Sequence, residues 1–247
     1  MTFLENFYLP FAERRAYPYR ILCSKMFDSV AFAPVTIFYG NNGSGKSTLL
    51  NVIAEKVEIN HKTLGNSTLY FNEFVEKCAF QLAERNGREV KIPSKSRFIR
   101  SEDIMEGIVN LRNKTEKAEK KILSARDGTE SLFAWQAYNN VSEQFSNGET
   151  AITFFENIFE PDTLYMLDEP ENSLSPSLQL VLKEMIEKYA YLLNCQFIIA
   201  THSPFILAIK NATIYNLDNQ PANICRWQDL ENVRVYYNFF KNNEDLF

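Results

Sequence analysis

The amino-acid sequence predicts an α/β fold with a mainly parallel central sheet and a helical insertion, and three observations predict it. A glycine-rich loop, "GNNGSGKST" (40–48), directly follows the apolar run "VTIFY" (35–39). Two further apolar runs, "TLYML" (163–167) and "QFIIA" (196–200), enclose a stretch with helical period. Each of these runs gives way to polar residues at its carboxyl end, as strands feeding functional loops do.

"VTIFY" is β-branched and aromatic, lies between Pro34 and Gly40, and reads as a buried strand. The stretch from Ser47 to about Val57 reads as a helix opened by the glycine loop. "SLQLVLKEMIEKYAYLL" (177–193) places Leu178, Val181, Leu182, Met185, Tyr189 and Leu193 on one helical face. Lys183, Glu184, Glu187 and Lys188 fall on the other. Strand, helix and strand joined by short turns form a parallel βαβ unit. "ATIYNLD" (212–218) reads as one more strand.

The middle, about 58–145, is polar and lacks a dominant strand period, apart from the short strand "RFIR" (97–100). Within it "LRNKTEKAEKKIL" (111–123) reads as an exposed charged helix. The window 85–126 holds 12 basic and 6 acidic residues, +6 inside a chain of net charge -5. Such a run offers either a nucleic-acid face or a solvated helix with pairs such as Glu116–Lys120, and solvation is the commoner use. The expected organisation is one domain over 1–247 with a helical insertion at about 58–145.

Composition is globular, with 45% hydrophobic and 23% charged residues. The four cysteines (Cys23, Cys78, Cys195, Cys225) form no C-x-x-C pair, which argues against a zinc site or disulfide framework and fits a reducing cytoplasm. The first residues, "MTFLENFYLPFAERRAY", lack the apolar stretch of a signal peptide. No run reaches the ~18 apolar residues of a membrane span, so no membrane partner is expected.

The loop fits G-x-x-x-x-G-K-[ST] as Gly40, Asn41, Asn42, Gly43, Ser44, Gly45, Lys46 and Ser47, followed by Thr48. Glycines let backbone N–H groups turn inward around a phosphate at a helix N-terminus. Lys46 reaches β- and γ-phosphates, and the Ser47 hydroxyl suits Mg²⁺. Asp168, at the carboxyl end of "TLYML", is placed to join the Mg²⁺ shell, and Glu169 to orient and deprotonate a water. His202 in "IIATHSP" ends the next run, where a γ-phosphate sensor would stand; His61, in polar "INHKTLGN", reads as a surface residue. "QFSNGET" (144–150) puts Ser146 and Gly148 before the helix "ETAITFFENIF", a second N-terminus able to grip phosphate or simply a helix cap.

Phosphate loop, "FSNGE", "LDEPE" and His202 occur here in the order found in ABC-type ATPases, which the chain resembles over about 35–57 and 141–218. Glu149 stands where transporters usually carry glutamine and SMC-type and RecF-like ATPases carry glutamate. "LDEPENSLSP" and "QFIIATHSP" are most similar to the small soluble bacterial ABC-type ATPases classed with the AAA family and related to the OLD-like group. The resemblance implies a P-loop NTPase fold of ABC ATPase type, with ATP and Mg²⁺ as ligands. It also implies a homodimer that sandwiches ATP, with Ser146 and Gly148 of one subunit on the γ-phosphate held by the other, and "ENSLSP" as the D-loop. Catalysis would fall to Glu169, Lys46 and His202, and metal binding to Ser47 and Asp168.

Two departures stand out. Ser175 replaces a common D-loop aspartate, and no glutamine follows "RFIR", where Glu102 and Asp103 lie instead. The adenine-stacking aromatic is open among Tyr17, Tyr19, Phe27 and Phe32. Lys46 and Ser146 are 100 residues apart, too close for a long coiled-coil arm between them. The implied role is an ATP-dependent dimerising switch in nucleic-acid maintenance or antiviral defence, working with a partner or effector chain. A transporter's nucleotide-binding subunit and a non-hydrolysing ATP sensor are the alternatives.

Overall fold

A computed structural model describes residues 2–12, 14–59, 68–110 and 147–246. Its centre is a six-stranded sheet in the order β11-β10-β3-β9-β8-β7. These strands are β3 (Val35–Tyr39), β7 (Arg97–Arg100), β8 (Leu164–Asp168), β9 (Gln196–Thr201), β10 (Thr213–Asn216) and β11 (Asn223–Cys225). β7, β8, β9, β3 and β10 run parallel, and only β11 at the edge is antiparallel. The α/β class and the mainly parallel sheet follow the sequence expectation.

Every residue of β3 and β9 is buried, as a parallel strand covered on both faces requires. Alternate side chains feed two cores. Phe38, Met166, Ile198 and Tyr215 point to one face, where the short α1 (Tyr19–Leu22), α2 (Lys46–Lys56), α3 (Leu69–Lys77) and the strand β1 (Leu4–Tyr8) share one core with them. Ile37, Leu167, Ile199 and Ile214 point to the other. There α5 (Asn147–Ile158), α6 (Pro176–Leu192), the short α7 (Pro204–Leu207) and Val233 of α8 (Glu231–Asn242) pack. Residues 101–110 form α4, whose Ile104 and Ile108 join this second core.

The face of α6 differs in phase from the one expected. Leu182, Ile186 and Ala190 are buried, whereas Val181 is 40% exposed. Leu178, Leu180, Val181 and Leu182 lie so close together that the apolar pattern alone does not fix the rotation of the helix.

The region 58–145 is not purely a helical insertion. Its described part contains α3 and α4, but also β4 (Ala79–Leu82), the hairpin β5 (Glu84–Arg85) and β6 (Arg88–Glu89), and the sheet strand β7. β4 pairs antiparallel with β1, which pairs in turn with β2 (Ser29–Ala31). β4 is a largely exposed edge strand, so its identity comes from its partner rather than from an apolar alternation. The segment 111–123, including Glu116 and Lys120, lies outside the described residues, as does His61.

Gln196 joins this small sheet to the large one. Its side chain is fully buried; Oε1 accepts the N–H groups of Phe3 and Leu4 at 2.9 Å each, and Nε2 donates to the Leu4 carbonyl at 2.8 Å. Gln196→Ala would leave these buried backbone groups without a partner. We expect a loss of about 2–4 kcal/mol in urea-unfolding free energy, at the upper end of the cost of stranded buried polar groups.

Candidate active site

The carboxyl ends of β3, β8 and β9 meet at one edge of the sheet. Register places Asp168 opposite Ala200 and Tyr39 opposite Thr201, so the loops after these strands start at the same level. Such an edge, where parallel strands deliver their loops, is where ligands bind in open α/β sheets.

The phosphate loop leaves β3 at Gly40 and enters α2 at Lys46. Gly45 has φ +101°, and a Cβ there would stand 2.7 Å from the Ile21 side chain, so the loop requires glycine on two counts. At Gly40 a Cβ would meet Ser44 Cβ at 2.7 Å. Asn41, Asn42 and Gly43 are exposed, Ser44 is buried, and Ser47 and Thr48 are half-buried at the start of the helix. Lys46 is only 4% exposed; its ammonium donates to the carbonyls of Gly40 at 2.7 Å and Asn41 at 3.3 Å. It also stands 3.6 Å from Glu169 Oε1.

Ser47 Oγ donates to Asp168 Oδ1 at 2.9 Å. Burial pushes the Asp168 carboxyl up to about 6, against the Ser47 hydrogen bond, which pulls it down. Two hard oxygen donors in contact at the mouth of the loop fit a magnesium ion, and an inward-turned loop with a buried lysine fits a triphosphate. A cleft of about 310 Å³ lined by Asn42, Gly45, Lys46, Ser47, Thr48 and Glu169 opens there.

Glu169 adopts a left-handed conformation, φ 48° and ψ 54°, which few non-glycine residues take. Its N–H is held by the Ala200 carbonyl at 2.9 Å, and its Oε2 accepts from Asn172 Nδ2 at 3.1 Å. His202 follows β9 with its side chain 49% exposed, and its Nδ1 lies 3.8 Å from Glu169 Oε1. The structure thus brings Lys46, Ser47, Asp168, Glu169 and His202 together. Gly148 lies in the first turn of α5, while Ser146 lies outside the described residues. Asp103 accepts the N–H of Arg100 at 3.0 Å, while Glu102 is exposed. Of the four aromatic candidates, Tyr19 and Phe32 are buried and Phe27 packs against the core. Tyr17 packs on Phe71 and also lines a cleft that touches Gly43.

Two residues of this site escape sequence reasoning. Asp218, beyond β10, accepts the Asn41 N–H on both carboxylate oxygens at 3.0 Å and pins the start of the loop. Glu171 is the hub of the histidine segment. It is 5% exposed, and its Oε1 accepts from Thr201 Oγ1 at 2.5 Å, His202 N at 3.0 Å and Ser203 N at 3.2 Å. His202 Nδ1 lies 3.5 Å from the same oxygen. Ser203 Oγ donates to Gln179 Oε1 at 2.6 Å, tying this segment to α6 as well. The signal available for both residues was their position, an acid just beyond a strand at the ligand edge. Glu171→Ala would unpair the buried Thr201 hydroxyl and the part-buried His202 amide, while Ser203 N keeps Thr201 Oγ1 at 3.0 Å, and we expect about 2 kcal/mol of destabilisation by urea titration. Glu171→Gln keeps an acceptor oxygen there and should lose less than half of that.

Comparison with known proteins finds ATPases. Residues 131–207 match the family model of the AAA ATPase domain. The chain is similar to the tungstate uptake system ATP-binding protein TupC of Campylobacter jejuni subsp. jejuni serotype O:2, at 23% identity over 229 residues. That match covers 84% of this chain, which spans 65% of the relative's length. By fold it is similar to the Smc head domain with an extended coiled coil, bound to the C-terminal domain of ScpA, from Pyrococcus furiosus. The TM-score is 0.51 at 12% identity, covering 98% of this chain and 100% of that one. The SMC head domain from Thermotoga maritima aligns with a TM-score of 0.45 at 15% identity, over 90% of this chain and 98% of that one. The fold is that of the P-loop ATPases, and the chain resembles ATPases of the AAA, ABC and SMC kind.

Proposed function

We propose that this chain, an ATPase domain of AAA, ABC and SMC type, binds and hydrolyses ATP as an ATP-dependent dimerising switch. The observation that carries this reading is the convergence of Lys46, Ser47, Asp168, Glu169 and His202 at one sheet edge. Lys46 withdraws from the Gly40 and Asn41 carbonyls to the β- and γ-phosphates, and loop N–H groups hold the same oxygens. Ser47 and Asp168 would hold Mg²⁺, which would supply neutralisation of the phosphate charge. Glu169 takes the proton of the attacking water, and His202 contacts the γ-phosphate from the β9 side. Ser146 and Gly148 of a second subunit close the site over the nucleotide.

The "FSNGE" and "DEPENSLSP" forms support a role in nucleic-acid maintenance or antiviral defence rather than transport. The Smc head, bound to ScpA, supports a separate partner chain as the effector. The tungstate-uptake relative favours a second reading, a transporter's nucleotide-binding subunit. Against it, Ser101, Glu102 and Asp103 follow β7 where that role would place a glutamine. Phosphate release from ATP, measured with and without Mg²⁺ and with and without nucleic acid, tests the reading. Turnover that requires Mg²⁺ and rises with nucleic acid is the expected result; nucleotide binding without turnover favours the sensor.

A further inference from the structure

Among the described residues, three cations beside the phosphate loop have no ion-pair partner. Arg15, Arg20 and Lys25 line one cleft of about 440 Å³ together with Tyr17 and the loop residue Gly43. Among the described residues, no hydrogen bond, ion pair or ring contact engages the charged end of any of the three. Their neighbour Arg14 shows the ordinary alternative. It is paired with Glu73 at 2.6 Å and lies over the Tyr19 ring at 5.3 Å. Lys25 is only 9% exposed as a residue, its stem packed among neighbours while it lines the same cleft.

The cleft is continuous with its neighbours on both sides. It shares Ile21 and Gly43 with the cleft that holds Lys46 and Ser47. On the other side it shares Arg15, Arg20 and Ser24 with a cleft of about 800 Å³, where Phe11 is 76% exposed. Among the described residues, no acidic side chain lines either outer cleft. Lys46 and the loop amides already serve the triphosphate, and the base and ribose that follow it are uncharged. Three further cations and this much concave space therefore fit a ligand with phosphates beyond those of one nucleotide. A cationic groove with aromatic faces suits a single strand, whose bases are free to stack; a duplex keeps its bases inside.

We propose that Phe11, Arg15, Tyr17, Arg20 and Lys25 wall a binding cleft for single-stranded nucleic acid. Arg15, Arg20 and Lys25 meet successive phosphates, and the exposed Phe11 offers a face to a base. This deepens the nucleic-acid half of the proposed function and rests on it.

The test is fluorescence anisotropy of the full chain with a fluorescein-labelled oligothymidylate. Three phosphate contacts on a single strand predict a Kd weakening of about 20-fold between about 50 and about 200 mM salt. Arg15→Ala/Arg20→Ala, both exposed positions that leave Lys25 in the fold, should bind more weakly at low salt and lose only about threefold over that range. Charge reversal of Lys117, Lys120 and Lys121 in the basic segment should leave the wild-type salt response. If that reversal abolishes binding and the arginine pair does not matter, this inference falls while the nucleic-acid reading stands. A duplex bound as tightly as the single strand also overturns it. If no oligonucleotide binds but the arginine pair is needed for a fluorescent ATP analogue, the cations serve the nucleotide itself, and both the cleft and the nucleic-acid reading fail.

Discussion

Lys46→Ala should reduce ATP turnover by at least about 100-fold, the scale of removing one preorganised charge donor from a transferring group. Lys46 is 4% exposed and held at the mouth of the loop by two carbonyls, so on the proposed reading its ammonium stands where phosphate charge would develop. Alanine removes that charge and also frees Glu169 Oε1 from a cation 3.6 Å away. The same change unpairs the Gly40 carbonyl, and far-ultraviolet circular dichroism must show an unchanged fold before the kinetics are read. Lys46→Arg separates charge from shape, because a planar guanidinium keeps the charge but not the point geometry. We expect it to recover little. Phosphate release within about tenfold of wild type for Lys46→Ala would remove Lys46 from the mechanism, since general charge stabilisation accounts for more than that.

The legible part of this molecule was the part whose meaning lies in local order. Gly40 to Ser47 could be read because each residue type has one use at its offset, and the strand before it is apolar. Asp168, Glu169 and His202 could be read because polar residues ending buried strands must stand at the same sheet edge. Glu171, Asp218 and Gln196 could not. Their partners lie 30, 177 and 192 residues away, and nothing near them in the chain marks the contact. β4 went unread for a related reason: an edge strand with one partner needs no apolar alternation. In α6 the apolar residues crowd one turn, and only packing against the sheet selects Ile186 and Ala190 over Val181. The placement of the loop and strand-end residues was therefore visible, and the long-range hydrogen bonds that fix it were not.

Glu169→Gln should trap an ATP-bound homodimer. Glutamine keeps the length of the side chain and an acceptor for Asn172 Nδ2, now 3.1 Å from Oε2, so the left-handed turn held by Ala200 should persist. What it loses is the capacity to accept the proton of the attacking water, worth about 10²–10⁴-fold in rate. Asp168 and Ser47 are untouched, so metal binding should survive. Slow turnover leaves ATP between the phosphate loop of one subunit and Ser146 and Gly148 of the other, and both contacts hold the pair closed. Light scattering with Mg-ATP should then report twice the 28.7 kDa chain mass, and the chain mass without nucleotide. Adding Ser146→Arg should return the doubly substituted chain to the chain mass with ATP still bound, because bulk and charge then occupy the place where the γ-phosphate docks. A Glu169→Gln chain that binds ATP yet stays at one chain mass would overturn the sandwich and leave the phosphate loop's assignment intact. The two substitutions thus separate chemistry from closure: on the proposed reading Lys46 acts within one subunit and Ser146 across two.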